Sequence, residues 1–363
     1  MASWIKIEQP REDGSLVMMQ APFIVSVSRS TDIPAFYADW FFHRLQKGYS
    51  AWTNPFNGVR SYISYKNTRF IVFWSKNPRP LLPYLHILKE RNIKCYIQYT
   101  LNDYEAEKME NVPSLDYRIE TFKLLVEQLG KGSLIWRFDP LLLTDYISIN
   151  NLLERVRKIG DQLRGYTEKL VFSYADIEIY RKVKKNLKTH GIPYQEWQVE
   201  QMEDFADKLF KMNKELGWNY QLATCGERID LSRYGIMHNR CIDGDLITRI
   251  AWDDKLLMDF MKVKIENTPE PDMFGERSLP IGAILLPNNH YFISTHKKDR
   301  GQRQYCECME SKDIGEYNTC PNLCKYCYAN NKNDTLQNWE RHRINPMAEN
   351  ITGKEEKNGN KNF

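Results

Sequence analysis

Six short apolar segments recur along the chain, and each is followed by polar residues and then by an amphipathic stretch. The segments are rich in β-branched and aromatic residues and do not alternate between apolar and polar positions. That pattern is typical of strands buried on both faces of a parallel sheet. The segments are Phe23–Ser28, Phe70–Ser75, Cys95–Leu101, Leu134–Phe138, Leu170–Tyr174 and Tyr220–Cys225.

The stretches between these segments place apolar residues three and four apart, which predicts amphipathic helices. Alternation of strands and helices predicts βαβ units around a parallel sheet. We expect an α/β fold, a partial (β/α)6 TIM-like barrel, with a doubly wound open sheet as the alternative. The predicted helices are Ala35–Gln46, Pro80–Arg91, Asp116–Leu129, Ile149–Leu163 and Val199–Leu216.

The pattern divides the chain into an N-terminal extension (1–20), the barrel (21–250), a C-terminal cysteine-rich region (251–345) and a polar tail (346–363). Within the third part, Ile281–Leu286 and His290–Ser294 predict a β-hairpin. The tail contains few apolar residues, so we expect it to be disordered.

Composition and charge leave a wide choice of partners. The sequence is 42% hydrophobic and carries a formal net charge of +4, which permits an acidic partner without requiring one. No apolar run approaches the roughly 18 residues of a membrane span, and the N-terminus lacks the apolar core of a secretory signal. We therefore expect a cytoplasmic protein with no membrane contact.

Three cysteines near the C-terminus form a C-x3-C-x2-C motif: Cys320, Cys324 and Cys327. Three thiolates from one short loop can cap three irons of a [4Fe–4S] cluster and leave the fourth iron open for another ligand. In radical S-adenosylmethionine (SAM) chemistry, that ligand is the amino and carboxylate end of SAM. A zinc knuckle is the alternative, but zinc usually takes four protein ligands in paired spacings.

Four further cysteines could form a second metal site. Cys306 and Cys308 lie just upstream of the motif, and together with Cys225 and Cys241 they supply four thiolates. Four thiolates suit a tetrahedral zinc ion or an auxiliary iron–sulfur cluster. The alternative is that Cys225 is a small buried hydrophobe, the role that we expect for Cys95.

Polar residues follow the predicted strands, at the rim where barrels bind ligands. Helix capping by short polar side chains is the ordinary alternative. Capping is a poor explanation for a cation, which needs an anion when it is desolvated. The cofactor-binding candidates are Arg29, Lys76, Asn77, Arg137, Asp139 and Ser173.

Several motifs together resemble the DUF1848 family. They are Ser28–Pro34 (SRSTDIP), Phe73–Pro78 (FWSKNP), Trp136–Pro140 (WRFDP), and Cys306-Glu-Cys308 followed by Asp313–Cys320. The resemblance covers roughly residues 21–330 and implies a radical SAM-like protein without indicating a substrate. In ordinary radical SAM enzymes the cysteines follow the first barrel strand, whereas here they follow the barrel, as in a permuted arrangement. The sequence also lacks the Gly-Gly-Glu motif that usually contacts the SAM amine.

The resulting hypothesis is a radical SAM enzyme of unknown reaction, for which the sequence identifies no catalytic residue. It implies a [4Fe–4S] cluster, SAM and a reducing partner such as flavodoxin or ferredoxin. The substrate could be a nucleotide, a nucleic acid, a peptide or a small metabolite. The alternative is a non-catalytic, metal-stapled barrel that binds nucleic acid or a protein partner.

Overall fold

A computed structural model describes residues 4–54, 57–271, 278–295 and 297–354. Strands and helices alternate through most of the chain. The strands are β1 (Lys6–Pro10), β2 (Leu16–Gln20), β3 (Ile24–Val27), β4 (Tyr49–Thr53), β5 (Arg60–Ser64), β6 (Phe70–Ser75), β7 (Lys94–Thr100), β8 (Leu134–Leu141), β9 (Leu143–Thr144), β10 (Lys169–Tyr174), β11 (Tyr194–Gln195), β12 (Gln221–Thr224), β13 (Met237–His238), β14 (Glu266–Asn267), β15 (Ala283–Leu286), β16 (His290–Ile293) and β17 (Lys312–Asp313).

The helices lie mainly between the strands of the central sheet. They are α1 (Ile33–Phe36), α2 (Ala38–Lys47), α3 (Leu85–Glu90), α4 (Leu115–Leu129), α5 (Ile149–Leu163), α6 (Arg181–Thr189), α7 (Val199–Glu215), α8 (Gly244–Ala251), α9 (Lys255–Met261) and α10 (Lys332–Ile344). Two 3-10 turns cover Arg79–Tyr84 and Ser232–Tyr234. No helix in the described ranges is both long and apolar enough to cross a lipid bilayer.

The central sheet has eight strands in the described residues, in the order β13-β12-β10-β8-β7-β6-β3-β17, and all neighbours are parallel. The six strands predicted from sequence lie side by side in chain order. A doubly wound sheet would reverse direction at a switch point, and this sheet does not. The α/β class and the large parallel sheet are confirmed, but no closed barrel is found in the described residues and the barrel is not confirmed.

Both faces of the sheet are buried, as the uninterrupted apolar segments predict. On one face, Phe73, Ile97 and Trp136 pack in a core that includes residues of α2, α4, α5 and α7. On the other face, Val72, Tyr96 and their neighbours pack against α8, α9 and the segment around Cys308. This second core includes residues from both sides of position 250, which we expected to separate two domains.

Local sequence signals explain where the elements begin and end. Helix α5 has the predicted bounds because Ser148 caps it, accepting a hydrogen bond from the Asn151 backbone N–H. The predicted helix Ala35–Gln46 is instead two helices, α1 and α2, separated by Tyr37. The predicted hairpin is confirmed as β15 and β16, which pair antiparallel.

The N-terminal extension belongs to a four-stranded sheet, with order β1-β2-β5-β4. The described part of the tail, residues 346–354, packs against this sheet, so the expected disorder is wrong for that part. Ile351 is buried there, and the Ala51 N–H donates to the Glu349 carbonyl. Residues 355–363 of the predicted tail lie outside the described residues.

A partly buried carboxylate fixes the tail. The guanidinium of Arg11 donates to Glu349 at 2.9 and 3.2 Å, Arg60 donates at 3.2 Å and the Tyr49 hydroxyl at 2.5 Å. Burial alone would raise the pKa of Glu349, but the hydrogen bonds from Arg11 and Tyr49 and the nearby arginine charges lower it. Glu349 thus joins strands β4 and β5 and the β1–β2 turn to the end of the chain.

We expect Glu349→Gln to lower the free energy of unfolding by about 1–3 kcal/mol at neutral pH, because hydrogen bonds to a charged acceptor are weakened. Because the folded pKa of Glu349 is lowered, its stabilisation is present above the unfolded pKa of about 4.3 and is lost as the pH falls through the folded value. Urea unfolding at neutral and acidic pH measures this difference.

The matched control is Glu340→Gln in α10. Glu340 pairs with Arg343, but their side chains are 62% and 63% exposed, so the change should have little effect on stability. Equal effects of the two substitutions, or a Glu349→Gln effect that does not depend on pH, would contradict this account of the tail.

Candidate metal and cofactor site

The main cavity of the described structure lies at the carboxyl ends of the parallel strands and has a volume of about 340 Å³. Seven of the eight cysteines line it: Cys225, Cys241, Cys306, Cys308, Cys320, Cys324 and Cys327. The eighth, Cys95, is buried in the core on the face of the sheet that α2, α4, α5 and α7 cover, as predicted. Sequence positions that are far apart therefore meet in one cavity.

Edge strand β17 brings the C-terminal region to this cavity. Lys312 and Asp313 pair in parallel with Val25 and Ser26 of β3. Just beyond β3, the Asp313 carboxylate accepts hydrogen bonds of 2.9 Å from the Ser28 hydroxyl and from the Arg29 backbone N–H. The chain then continues from Asp313 into the C-x3-C-x2-C loop.

The closeness of the two segments requires a glycine at position 315. A Cβ atom added there would lie 1.8 Å from Ser28 Oγ and 2.7 Å from Ser28 Cβ, far inside any permitted contact. The Gly315 carbonyl also accepts a hydrogen bond of 2.9 Å from the Trp52 indole. Only glycine lets the C-terminal segment approach the end of β3 this closely.

Asn330 and Tyr37 hold the cysteine loop at its two ends. The Asn330 side-chain oxygen accepts from the backbone N–H groups of Thr319 at 3.0 Å and Cys320 at 3.4 Å, and its amide donates to Cys327 Sγ at 3.4 Å. The Tyr37 hydroxyl donates to the Thr319 carbonyl at 2.5 Å. The loop is therefore anchored by a residue just before helix α10 and by the residue that separates α1 from α2.

A buried carboxylate, Asp32, connects the loop to the sheet. One oxygen accepts from the Ser75 hydroxyl at 2.6 Å and the Ala35 N–H at 3.1 Å. The other accepts from the Lys76 N–H at 2.7 Å and from the Asn322 amide, inside the loop, at 2.9 Å. Burial raises the pKa of Asp32, and these four hydrogen bonds oppose that rise.

Lys76 contacts Tyr326, a residue of the cysteine loop. The Lys76 ammonium donates to Glu110 at 2.9 Å and to the Tyr326 hydroxyl at 3.0 Å. The Asn102 amide donates to the same Glu110 oxygen at 3.0 Å and to the Tyr326 hydroxyl at 3.1 Å. Lys76 thus has a carboxylate partner, and its predicted contact with a cofactor stays a prediction.

Burial disfavours the thiolate form of two of the loop cysteines. Burial raises the pKa of Cys320 to about 12 and also raises the pKa of Cys324. A metal ion binds the thiolate, so metal loading has to displace these protons. Binding of a metal ion by these thiols should therefore depend on pH.

The other four cysteines lie together in the wall of the same cavity. Cys225 Sγ lies 3.5 Å from Cys241 Sγ, and the Cys308 thiol interacts with the thiols of both Cys241 and Cys306. The Cys241 N–H donates to Cys308 Sγ at 3.2 Å. These contacts bring Cys225, Cys241 and Cys308 together, and Cys306 lines the same cavity. Binding of a metal by the four stays a prediction.

Arg137 contacts this second group of thiols. It is buried, forms an ion pair with Asp139, and donates to Cys241 Sγ at 3.1 Å and to Gln98 at 3.3 Å. The ion pair with Asp139 is the alternative explanation for the buried charge of Arg137, in place of a bound anion. Contact of Arg137 with the SAM carboxylate or a substrate stays a prediction.

Of the remaining cofactor-binding candidates, some line the cavity and one does not. Ser173 donates to Asp139, and both line the cavity beside Arg29 and Arg137. Asn77 does not line the cavity, and its backbone N–H donates a hydrogen bond of 3.0 Å to the Ser75 hydroxyl oxygen. The binding roles assigned to these residues are not tested by their positions.

Sequence reasoning did not predict which residues position the loop. Asp32 was expected among the polar residues at the ends of the strands, but its hydrogen bond to the loop was not predicted, and Asn322 and Asn330 were not singled out. It also missed Glu227, whose pKa burial raises to about 8 at the cavity wall. A signal existed for Asn322 and Asn330, because both are amides within three residues of a motif cysteine.

In the part of the chain that the structure describes, no group of three or more histidine, cysteine, aspartate or glutamate side chains is already arranged to hold a metal ion. Fold and cavity define an α/β protein whose parallel sheet carries a cysteine-lined cavity at its carboxyl edge. Residues 24–329 match the family described as a domain of unknown function (DUF1848), and the chain belongs to that family. No match was found among curated proteins or solved structures.

We expect Asp32→Asn to loosen the cysteine loop, because either orientation of the new amide places an N–H₂ group against two hydrogen-bond donors. The free energy of unfolding should fall by about 1–3 kcal/mol. Alkylation of Cys320 and Cys324 in the metal-free protein, followed by mass spectrometry, should become severalfold faster.

Asp204→Asn provides the control, since Asp204 is 45% exposed and pairs only with Lys208 on the surface of α7. If both variants alkylate at the wild-type rate, Asp32 does not position the loop.

Proposed function

We propose that this protein is a radical SAM-type enzyme that binds a [4Fe–4S] cluster through Cys320, Cys324 and Cys327. One observation carries the proposal: the three cysteines of the C-x3-C-x2-C loop line a cavity at the carboxyl ends of parallel strands. That edge is where α/β sheets and barrels bind their ligands. The two hydrogen-bond anchors of the loop, Asp32 and Asn330, support a fixed arrangement of the three sulfurs.

The residues present fit such a cluster. Three thiols with no histidine among them suit three irons of a cube and leave the fourth for SAM. When bound and reduced, the cluster would supply an electron that cleaves SAM to methionine and a 5′-deoxyadenosyl radical. The protein's own contribution is to position these groups and to exclude water.

The cavity supplies polar groups suited to an amino acid end such as that of SAM. Arg29 lines it and has no carboxylate within ion-pairing distance among the described side chains. Asp139 and Ser173 lie on the same wall and could accept hydrogen bonds from an amine. The volume of about 340 Å³ is at the lower end of the roughly 300–1,000 Å³ of small-molecule sites.

We further propose that the sheet is a partial (β/α)6 barrel of radical SAM type. The sequential order of the six predicted strands supports this assignment, because a barrel adds each strand beside the last. Entry of the cysteine loop past β17, rather than directly after β3, supports the permuted arrangement.

The substrate and partners follow only as proposals. Tyr317 and Tyr328 are partly exposed beside the loop, and the rings of Tyr180 and Tyr328 lie 5.7 Å apart at the cavity. Aromatic rings of this kind can stack a nucleobase, which supports a nucleotide or nucleic-acid substrate. A cytoplasmic flavodoxin or ferredoxin would be a suitable reductant.

Anaerobic reconstitution tests the proposal. We expect wild-type protein to bind about four irons in this cluster and to release 5′-deoxyadenosine from SAM with dithionite. Replacing Cys320, Cys324 and Cys327 together with alanine should remove those irons and abolish SAM cleavage.

Cys95→Ala is the matched control, because Cys95 is buried in strand β7 and does not line the cavity. It should keep the cluster and its activity. A wild-type protein that binds iron but never cleaves SAM would favour the non-catalytic, metal-stapled alternative. Cluster content and activity that survive the triple substitution would refute the assignment of these ligands.

A further inference from the structure

Four cysteines from three separate parts of the chain form a second sulfur group. Cys225 follows β12, Cys241 follows β13, and Cys306 and Cys308 come from the C-terminal region. Cys225 Sγ lies 3.5 Å from Cys241 Sγ, and Cys308 Sγ accepts a hydrogen bond of 3.2 Å from the Cys241 backbone N–H. Cys306 is two residues from Cys308 and lines the same cavity. We call these four residues the four-cysteine group.

Hydrogen-bond donors surround these sulfurs. Cys308 Sγ accepts from the N–H groups of Cys241 at 3.2 Å and Ile242 at 3.4 Å. Cys241 Sγ accepts from the Asn239 amide at 3.3 Å and from the Arg137 guanidinium at 3.1 Å. A neutral thiol is a weak acceptor, so this number of donors is suited to thiolates, the form that binds metals.

A nearby cation also requires negative charge. The Arg29 guanidinium donates to Gln302 at 2.9 Å, and its buried Nε has no hydrogen-bond partner. Its side chain forms no ion pair in the described residues, and the charges that act on it are those of Cys308, Asp313, Cys241 and Cys306. A poorly hydrated cation needs an anion, and a divalent ion bound by four thiolates retains two negative charges.

We propose that Cys225, Cys241, Cys306 and Cys308 together bind one tetrahedral divalent metal ion, zinc or ferrous iron. Metal–sulfur bonds of roughly 2.3 Å place two ligand sulfurs of a tetrahedron about 3.8 Å apart. The 3.5 Å between Cys225 and Cys241 is close to that separation. The four sulfurs as a set are not already arranged as a metal site in the described residues, so the ion would have to draw the other thiols in. The site is separate from the Cys320–Cys324–Cys327 loop and does not rest on SAM chemistry.

The contacts favour one ion over an iron–sulfur cluster. In a cubic cluster each thiolate caps a different iron, so the sulfurs stand apart instead of touching. A two-iron cluster would divide the four thiols into two separated pairs. Here Cys241 Sγ lies 3.5 Å from Cys225 Sγ and the Cys241 N–H donates to Cys308 Sγ at 3.2 Å, which joins the two halves into one group.

The experiment uses the full-length protein in which Cys320, Cys324 and Cys327 are all alanine, so that the proposed [4Fe–4S] site cannot contribute metal. We expect about one zinc or iron per chain by elemental analysis. In this background, serine at any one of the four cysteines should reduce the metal content severalfold. Serine at Cys95 should leave it unchanged.

X-ray absorption on the same triple-alanine protein should show four sulfur neighbours at about 2.3 Å and no neighbouring metal. Cys225→His keeps a zinc ligand and should retain the ion with three sulfurs and one nitrogen, which guards against misreading a variant that fails to fold. A metal–metal neighbour, a metal-free protein, or a Cys225–Cys241 disulfide found by mass spectrometry would overturn the proposal. Loss of SAM cleavage in wild-type protein would leave these readouts unaffected.

Discussion

One buried carboxylate connects the parts of the molecule on which the cavity depends. Asp32 accepts hydrogen bonds from the end of β6, from helix α1 and from the cysteine loop, through Ser75, Ala35 and Asn322. A buried carboxylate is tolerated only when its oxygens are fully hydrogen-bonded. The position of the loop relative to the sheet is therefore fixed by the same bonds that make burial of Asp32 acceptable.

Sulfur and charge are distributed unequally around the cavity. The three loop cysteines are partly buried, and the charges that act on them are mixed, with Asp32 near Cys320 and both Lys76 and Glu110 near Cys324. The four-cysteine group lies beside Arg29 and Arg137, which favour thiolates. Two sites with different electrostatic surroundings in one cavity can bind different metal centres, which is the arrangement our two proposals assign.

Much of the sheet could be predicted from sequence because its strands are uninterrupted apolar segments. Phe70–Ser75 was predicted with its observed bounds, and helix α5 likewise, since its cap and periodicity are local. The N-terminal sheet was missed because its strands are short and partly exposed, with weak patterns such as Lys6–Pro10. That Cys225, Cys241, Cys306 and Cys308 lie near one another was predicted from their number, and they line one cavity. Asp32 had a local signal only as the cap of α1, because its bond to the loop, like the need for Gly315, depends on pairing between distant segments.

The parallel pairing of β17 with β3 also has a consequence for the order of assembly. Ser28 and Asp313, which join the two strands, are 285 residues apart, so β3 is synthesised long before its edge partner. Until then, β3 exposes an unpaired edge, a feature that promotes association with other chains. Contacts over such separations also form slowly. The cavity with all its sulfurs can be completed only after most of the protein has left the ribosome, so the metal centres that we propose could be inserted only late in maturation.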